Sequence, residues 1–128
     1  MKARPFHRLG ELQLKIMKVL WARREASVAD IQAALPGGAE LAYTTVATML
    51  RKMEARRLVS HRVEGRTFIY APAVDEAQVS RGIAEHVLDR LFGGSVEALV
   101  SHLLTTREVG RDELARLERL IAKRRKLS

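Results

Sequence analysis

The 128-residue chain contains no cysteine, which excludes disulfides, thiol redox sensing and thiolate metal sites together. A chain without disulfides fits a reducing compartment, and the expected location is the cytoplasm. Aromatic residues make up 5% of it, too few for a platform that stacks the bases of single-stranded nucleic acid. No apolar run approaches the roughly 18 residues needed to cross a bilayer, so no membrane span is expected. The basic stretch MKARPFHRLGELQLK at the N-terminus lacks an apolar h-region, so no signal peptide is expected. The four histidines, His7, His61, His86 and His102, lie in different segments. Glu85 stands beside His86, but adjacent residues of a helix point in different directions, so no metal site is expected. No Gly-rich phosphate loop or nucleophile motif appears, and Gly93-Gly94-Ser95 reads as a break between helices. No catalytic residue and no cofactor is therefore assigned, and the chain is not expected to be an enzyme.

What is present is the composition of an ordered globular chain, 47% hydrophobic and 30% charged. The net charge of +8 points to a polyanionic partner, nucleic acid or an anionic membrane surface. Residues 1–73 hold 13 Lys and Arg against 6 Asp and Glu, whereas residues 74–122 hold 6 against 9. Lys123, Arg124, Arg125 and Lys126 then form a basic run. The positive charge is thus concentrated in the first half and at the C-terminal end. This tail either touches flanking DNA or only keeps the last helix soluble, and the sequence leaves that choice open.

The periodicity reads as three helices followed by a hairpin. Leu9, Leu12, Ile16, Val19 and Leu20 recur at helical spacing over residues 9–23. Ser27, with Asp30 three residues on, forms a capping box for a short second helix whose stripe is Val28, Ile31 and Leu35. Pro36-Gly37-Gly38 stops that helix. The third helix spans residues 43–57. Val46, Leu50 and Met53 share its core face, with Met49 at the edge, while Thr44, Thr48 and Arg51 lie opposite and Thr45 and Lys52 flank them. Leu58, Val59, Val63, Phe68, Ile69 and Tyr70 are strand formers around the turn Glu64-Gly65-Arg66. This order is that of a winged helix. Residues 74–128 then give three further helices. Val79, Ile83, Val87, Leu88 and Leu91 mark the first, Phe92 stands at the break after it, Leu99 and Leu103 belong to the second, and Leu114, Leu117 and Ile121 mark the third. About 50 residues cannot readily close a core alone, so these apolar positions are expected to meet a second copy of the chain.

The fold class is therefore mainly α with a small β-hairpin. It consists of a winged helix-turn-helix DNA-binding domain over 1–73 and a helical dimerisation domain with a basic tail over 74–128. The outward face of the third helix carries hydroxyls and cations without a carboxylate, which suits an anion rather than bulk solvent. Three Thr residues there run against helix propensity. Thr44, Thr45 and Thr48 are candidates to read base edges in the major groove, and Arg51 and Lys52 to hold phosphates. Tyr43 is either a phosphate contact or an aromatic at the rim of the core. On the wing, Arg62 and Arg66 are the candidate backbone contacts, with His61 expected to be an ordinary strand residue. Glu64 would repel a phosphate unless it pairs with an Arg. Two other readings compete with a dimeric reader of duplex DNA. One is a winged helix used as a protein-interaction module, and the other is a regulator that senses a small ligand.

The segment LAYTTVATMLRKMEARRLVSHRVEGRTFIYAPAV resembles the penicillinase-repressor family, which includes β-lactamase and methicillin-resistance repressors and a copper-responsive branch. The likeness runs from Leu9 and Leu20-Trp21 through Ala42-Tyr43-Thr44-Thr45-Val46 and Glu64-Gly65-Arg66 to Leu91-Phe92-Gly93-Gly94-Ser95 and the final helices. It implies a homodimer that binds an inverted-repeat operator in double-stranded DNA, often with a TACA/TGTA core, and represses the downstream gene. The family's base-reading positions fall on Thr44, Thr45, Ala47 and Thr48. A larger polar side chain stands at the position of Ala47 in the antibiotic-resistance members, so their operator is not carried over. In that branch a membrane sensor leads to cleavage of an Asn-Phe bond in the dimerisation region, which implies a protease or sensor partner. The aligned candidate cleavage region here is His102-Leu103, without the Asn-Phe pair. The copper branch uses C-terminal cysteines, which this chain lacks.

Overall fold

The computed structural model describes residues 9–128. His7 and the first basic positions lie outside the described residues. The chain divides into two compact units, Met1–His86 and Val87–Ser128.

In the first unit, α1 spans Glu11–Arg23, β1 Ala26–Ser27, α2 Val28–Ala34, α3 Tyr43–Ala55, β2 Val59–Glu64 and β3 Thr67–Pro72. The capping box at α2 forms as its residue types dictate. The Asp30 N–H donates to Ser27 Oγ at 3.1 Å and the Ser27 N–H to Asp30 Oδ2 at 3.3 Å, satisfying donors that a helix start leaves open. After α2 the chain turns through Gly37, at φ 69°, into a single 3-10 turn, Gly38–Glu40. A Cβ on Gly38 would stand 1.9 Å from the Gln32 carbonyl oxygen, so no other residue fits this close passage. At the end of α3, Arg57 takes φ 63°, a left-handed conformation usually given to glycine, and the Leu58 N–H returns to the Met53 carbonyl at 3.0 Å.

Three strands pair antiparallel in the order β1-β3-β2. The hairpin was expected; β1 was not. Its two residues, Ala26 and Ser27, pair with Tyr70 and Ile69 and are too few to show any period. The β2–β3 turn is the pair Gly65-Arg66, with Glu64 opposite Thr67. Only Gly65 has positive φ there, 64°, as expected when glycine holds the first position of a tight hairpin turn. The core gathers Ile16, Met17 and Leu20 of α1, Val28 and Ile31 of α2, Val46, Leu50 and Met53 of α3, and Tyr70 of β3. Emptying any of the larger sites to alanine would cost about 2–5 kcal/mol.

The helix α4 spans Glu76–Phe92, and the division between units falls within it. Its start is held to α1: Trp21 Nε1–H donates to the Val74 carbonyl at 2.9 Å and Lys18 lies 3.5 Å from Glu76. Val79, read from the sequence as an interface residue, is 1% exposed within the single chain. It is therefore not available to a second copy, because this first part of α4 is already packed.

The second unit holds the end of α4 with α5, Val96–Thr106, and α6, Arg111–Lys126. Ser95 caps α5, accepting from the Ala98 N–H at 3.0 Å. No residue of α5 or α6 is fully buried.

Candidate nucleic-acid interface

The helix α3 is oriented by its core stripe. With Val46, Leu50 and Met53 fully buried, the opposite arc must face out. Thr44, Thr45, Arg51 and Lys52 are exposed, and Ala47 and Thr48 are half-buried beside them. Arg51 Nη2 donates to Thr48 Oγ1 at 3.2 Å, which aligns a cation with a hydroxyl one turn away on the same face. Tyr43, at the first position of the helix, is 53% exposed, so much of its ring stays outside the core.

The wing brings a second cation to this face. A depression between α3 and the hairpin is lined by Tyr43, Ala47 and Arg51 from α3 and by Arg66, Thr67, Phe68 and Tyr70 from the hairpin, with Val28 of α2. The structure thus joins Tyr43, Ala47, Arg51 and Arg66 in one concave site. An oxyanion entering it would meet two guanidinium groups and a phenol.

Arg62 has different surroundings. Successive strand residues alternate sides, and Arg62 points away from the side that His61 shows to α3. It binds Glu25 at 2.9 Å and Glu64 at 2.5 Å. The carboxylates of Glu25 and then Glu64 hold its guanidinium protonated well beyond the usual range. Glu64 is thereby occupied by an Arg, which removes the repulsion expected at the wing tip. It also leaves Arg62 with less net charge to offer a phosphate than Arg66 has.

His61 does more than an ordinary strand residue. Its Nδ1 lies 2.7 and 2.8 Å from the two carboxylate oxygens of Glu54 on α3. Its ring stacks on Phe68 with centroids 4.2 Å apart and planes 13° from parallel. Glu54 is the only carboxylate in α3, and this contact holds it against the wing. The sequence signal was a lone acid on a basic helix seven residues before a histidine, but neither helical nor strand periodicity pairs residues across two elements. Tyr70, across the sheet from His61, is 2% exposed, and burial, with the Glu54 charge adding, pushes its phenol pKa up.

In the second unit the apolar positions lie open. Leu91 is 74% exposed and Ile121 58%, with Leu103 and Leu114 also exposed. Val87, Leu88, Phe92, Leu99 and Leu117 are half-buried, as is Ile83 in the first unit. His102 and Leu103 lie inside α5, and the His102 ring meets Phe92 at 5.6 Å between centroids. Among the described residues, no group of three or more His, Cys, Asp or Glu could hold a metal ion, and no helix is long and apolar enough to cross a membrane.

Comparison with known proteins gives a consistent result. Residues 9–123 match the family model described as penicillinase repressor. The chain is 33% identical over 117 residues to the transcriptional regulator BlaI of Mycobacterium tuberculosis, covering 90% of this chain and 83% of that protein. It is 23% identical over 113 residues to the penicillinase repressor of Bacillus licheniformis, covering 88% of each. Among solved structures, the DNA-binding domain of the repressor BlaI superposes with a TM-score of 0.50 at 28% identity, covering 61% of this chain and 93% of that one.

Proposed function

Because this chain belongs to the penicillinase repressor family, a family of winged-helix transcriptional repressors, we propose that it acts as a homodimer on an inverted-repeat operator in double-stranded DNA and represses the gene beside it. The observation that carries this reading is the outward face of α3. Its hydroxyls and cations are joined by Arg66 of the wing, and the one carboxylate of the helix, Glu54, is paired with His61. In this reading α3 enters the major groove. Thr44, Thr45, Ala47 and Thr48 meet base edges, while Arg51, Lys52, Arg66 and the Tyr43 hydroxyl meet phosphates. In this reading the winged helix, ending near residue 73, is the DNA-binding part, and the dimerisation surface lies in the later helices, beyond the packed start of α4. Leu91, Leu103, Leu114 and Ile121 supply exposed apolar surface for a second copy, and a two-fold dimer matches a two-fold operator. Release follows a signal acting on the dimerisation part. The peptide bond His102–Leu103 is helical, so a protease would need α5 unwound to reach it.

The test is fluorescence anisotropy on the DNA upstream of the protein's own gene, against a shuffled duplex, over a salt series. Binding at two chains per site, with a preference of about 10³ or more for the native DNA, is the expected result. Equal and weak binding to both duplexes, fading steeply with salt, would refute a specific operator there.

A further inference from the structure

The charge of the second unit is not explained by either role given to it so far. In α6, Arg116, Arg119, Lys123 and Lys126 recur at helical spacing. At 100° per residue they fall within an arc of about 80°, and at 1.5 Å per residue they extend about 15 Å along the axis. All four are exposed, and none has an ion-pair partner among the described residues. The sequence gives them little chance of one within the helix. The positions three and four residues from Arg119, Lys123 and Lys126 hold no acid, and Arg119 and Lys123 repel each other at i,i+4. Only Arg116, with Asp112 and Glu113 behind it, has carboxylates at such spacing.

Helix-end electrostatics account for part of this pattern. Cations complement the carbonyl end of a helix, but the effect fades beyond the last turn, and Arg116 and Arg119 stand outside it. A second copy brings no net negative charge to offset the stripe: residues 87–128 hold nine Lys and Arg against six Asp and Glu, so a dimer keeps a positive surplus there. The stripe is also separate from the apolar positions Leu114, Leu117 and Ile121, which are turned toward a different side of the helix. An anionic lipid surface would need those apolar residues to insert, and the homodimer reading already uses them.

We propose that the Arg116–Arg119–Lys123–Lys126 stripe of α6 is a second, sequence-independent contact with the phosphates of duplex DNA, outside the winged helix. Its length matches the rise of about four phosphates along one strand. This proposal rests on the repressor reading, and it adds a role in affinity and salt dependence without a role in choosing the site.

The experiment compares the full-length wild type with Arg119→Gln/Lys123→Gln/Lys126→Gln. Each is titrated with operator and shuffled duplex from 50 to 200 mM salt, with sedimentation to report the oligomer. The expected result is an intact dimer whose log–log salt slope is smaller by about 2–3 per chain, with the operator-to-shuffled ratio unchanged. Arg119→Lys, which keeps the charge, should restore its share of the slope when introduced into that variant in place of Arg119→Gln. An unchanged slope overturns the proposal alone. A variant that sediments as a monomer also overturns it, by placing the stripe in the dimer interface. Wild-type binding to vesicles containing phosphatidylserine, with an unaltered slope on DNA, would assign the stripe to lipid instead. If the wild type binds no duplex at any salt, the repressor reading falls together with this one.

Discussion

Arg62 and Arg66 stand on the same hairpin, and a contact map of cations alone would treat them alike. Their neighbours separate them. Glu25 and Glu64 compensate Arg62, while Arg66 opens into the depression beside Arg51. Arg66→Ala should therefore lower the salt slope of DNA binding by about one per chain, and Arg62→Ala by much less. Equal slopes for the two variants would show that the carboxylates do not hold Arg62 away from DNA. Tyr70 makes a different prediction. Burial raises its pKa in the folded chain above the value near 10 of an unfolded tyrosine. Above about pH 10 the unfolded state sheds a proton that the folded state keeps, so this group's contribution is intact below that pH and is lost as pH climbs toward the raised value. Urea midpoints at pH 8 and pH 11 should fall less for Tyr70→Phe than for wild type. Parallel declines would remove Tyr70 from the alkaline loss.

At the scale of elements, α3 and the wing are joined by a contact that neither element's periodicity encodes. Glu54 and His61, each about a third exposed or less as side chains, tie α3 to β2 while Phe68 backs the ring. In a double-mutant cycle with Glu54→Gln and His61→Gln, the stability coupling should be about 0.5–1 kcal/mol, the range of partly exposed pairs. In the proposed binding mode each single variant should also weaken binding to duplex DNA, because the wing loses its brace against α3. Additive stabilities would mean that the two side chains are merely adjacent. The elements themselves were legible where their signals are local. The Ser27–Asp30 cap, the Val46-Leu50-Met53 stripe and Gly65 in the turn each act within a few residues. The strand β1 was not legible, since its two residues become a strand only by meeting Tyr70 and Ile69.

For the whole molecule, two units differ sharply in how well they bury themselves. The first has a closed core, whereas α5 and α6 of the second contain no buried residue. In the proposed homodimer a second copy would cover this open leucine. Leu91→Glu, at a position 74% exposed in one chain, should yield monomers with weakened operator binding and leave the winged helix folded. Sedimentation at low micromolar concentration checks this, and a persisting dimer would move the interface away from Leu91. Val79 illustrates the limit of reading such a surface from apolar spacing. It shares the helical pattern of the interface positions, yet the chain's own packing covers it.

The sequence by itself determined the helices and hairpin, the capping residues, the separation of charge along the chain, and the face of α3 available to a partner. These follow from periodicity and from interactions between residues close in the chain, which are the same in any fold that contains the segment. The tertiary structure decided which cations are compensated, which acid of α3 is paired with the wing, and which apolar residues remain open. Glu25 reaches Arg62 across 37 positions of sequence, and Val79 is hidden by its own chain. The physical reason is that electrostatic pairing and burial depend on distance in space, and only the folded chain sets those distances.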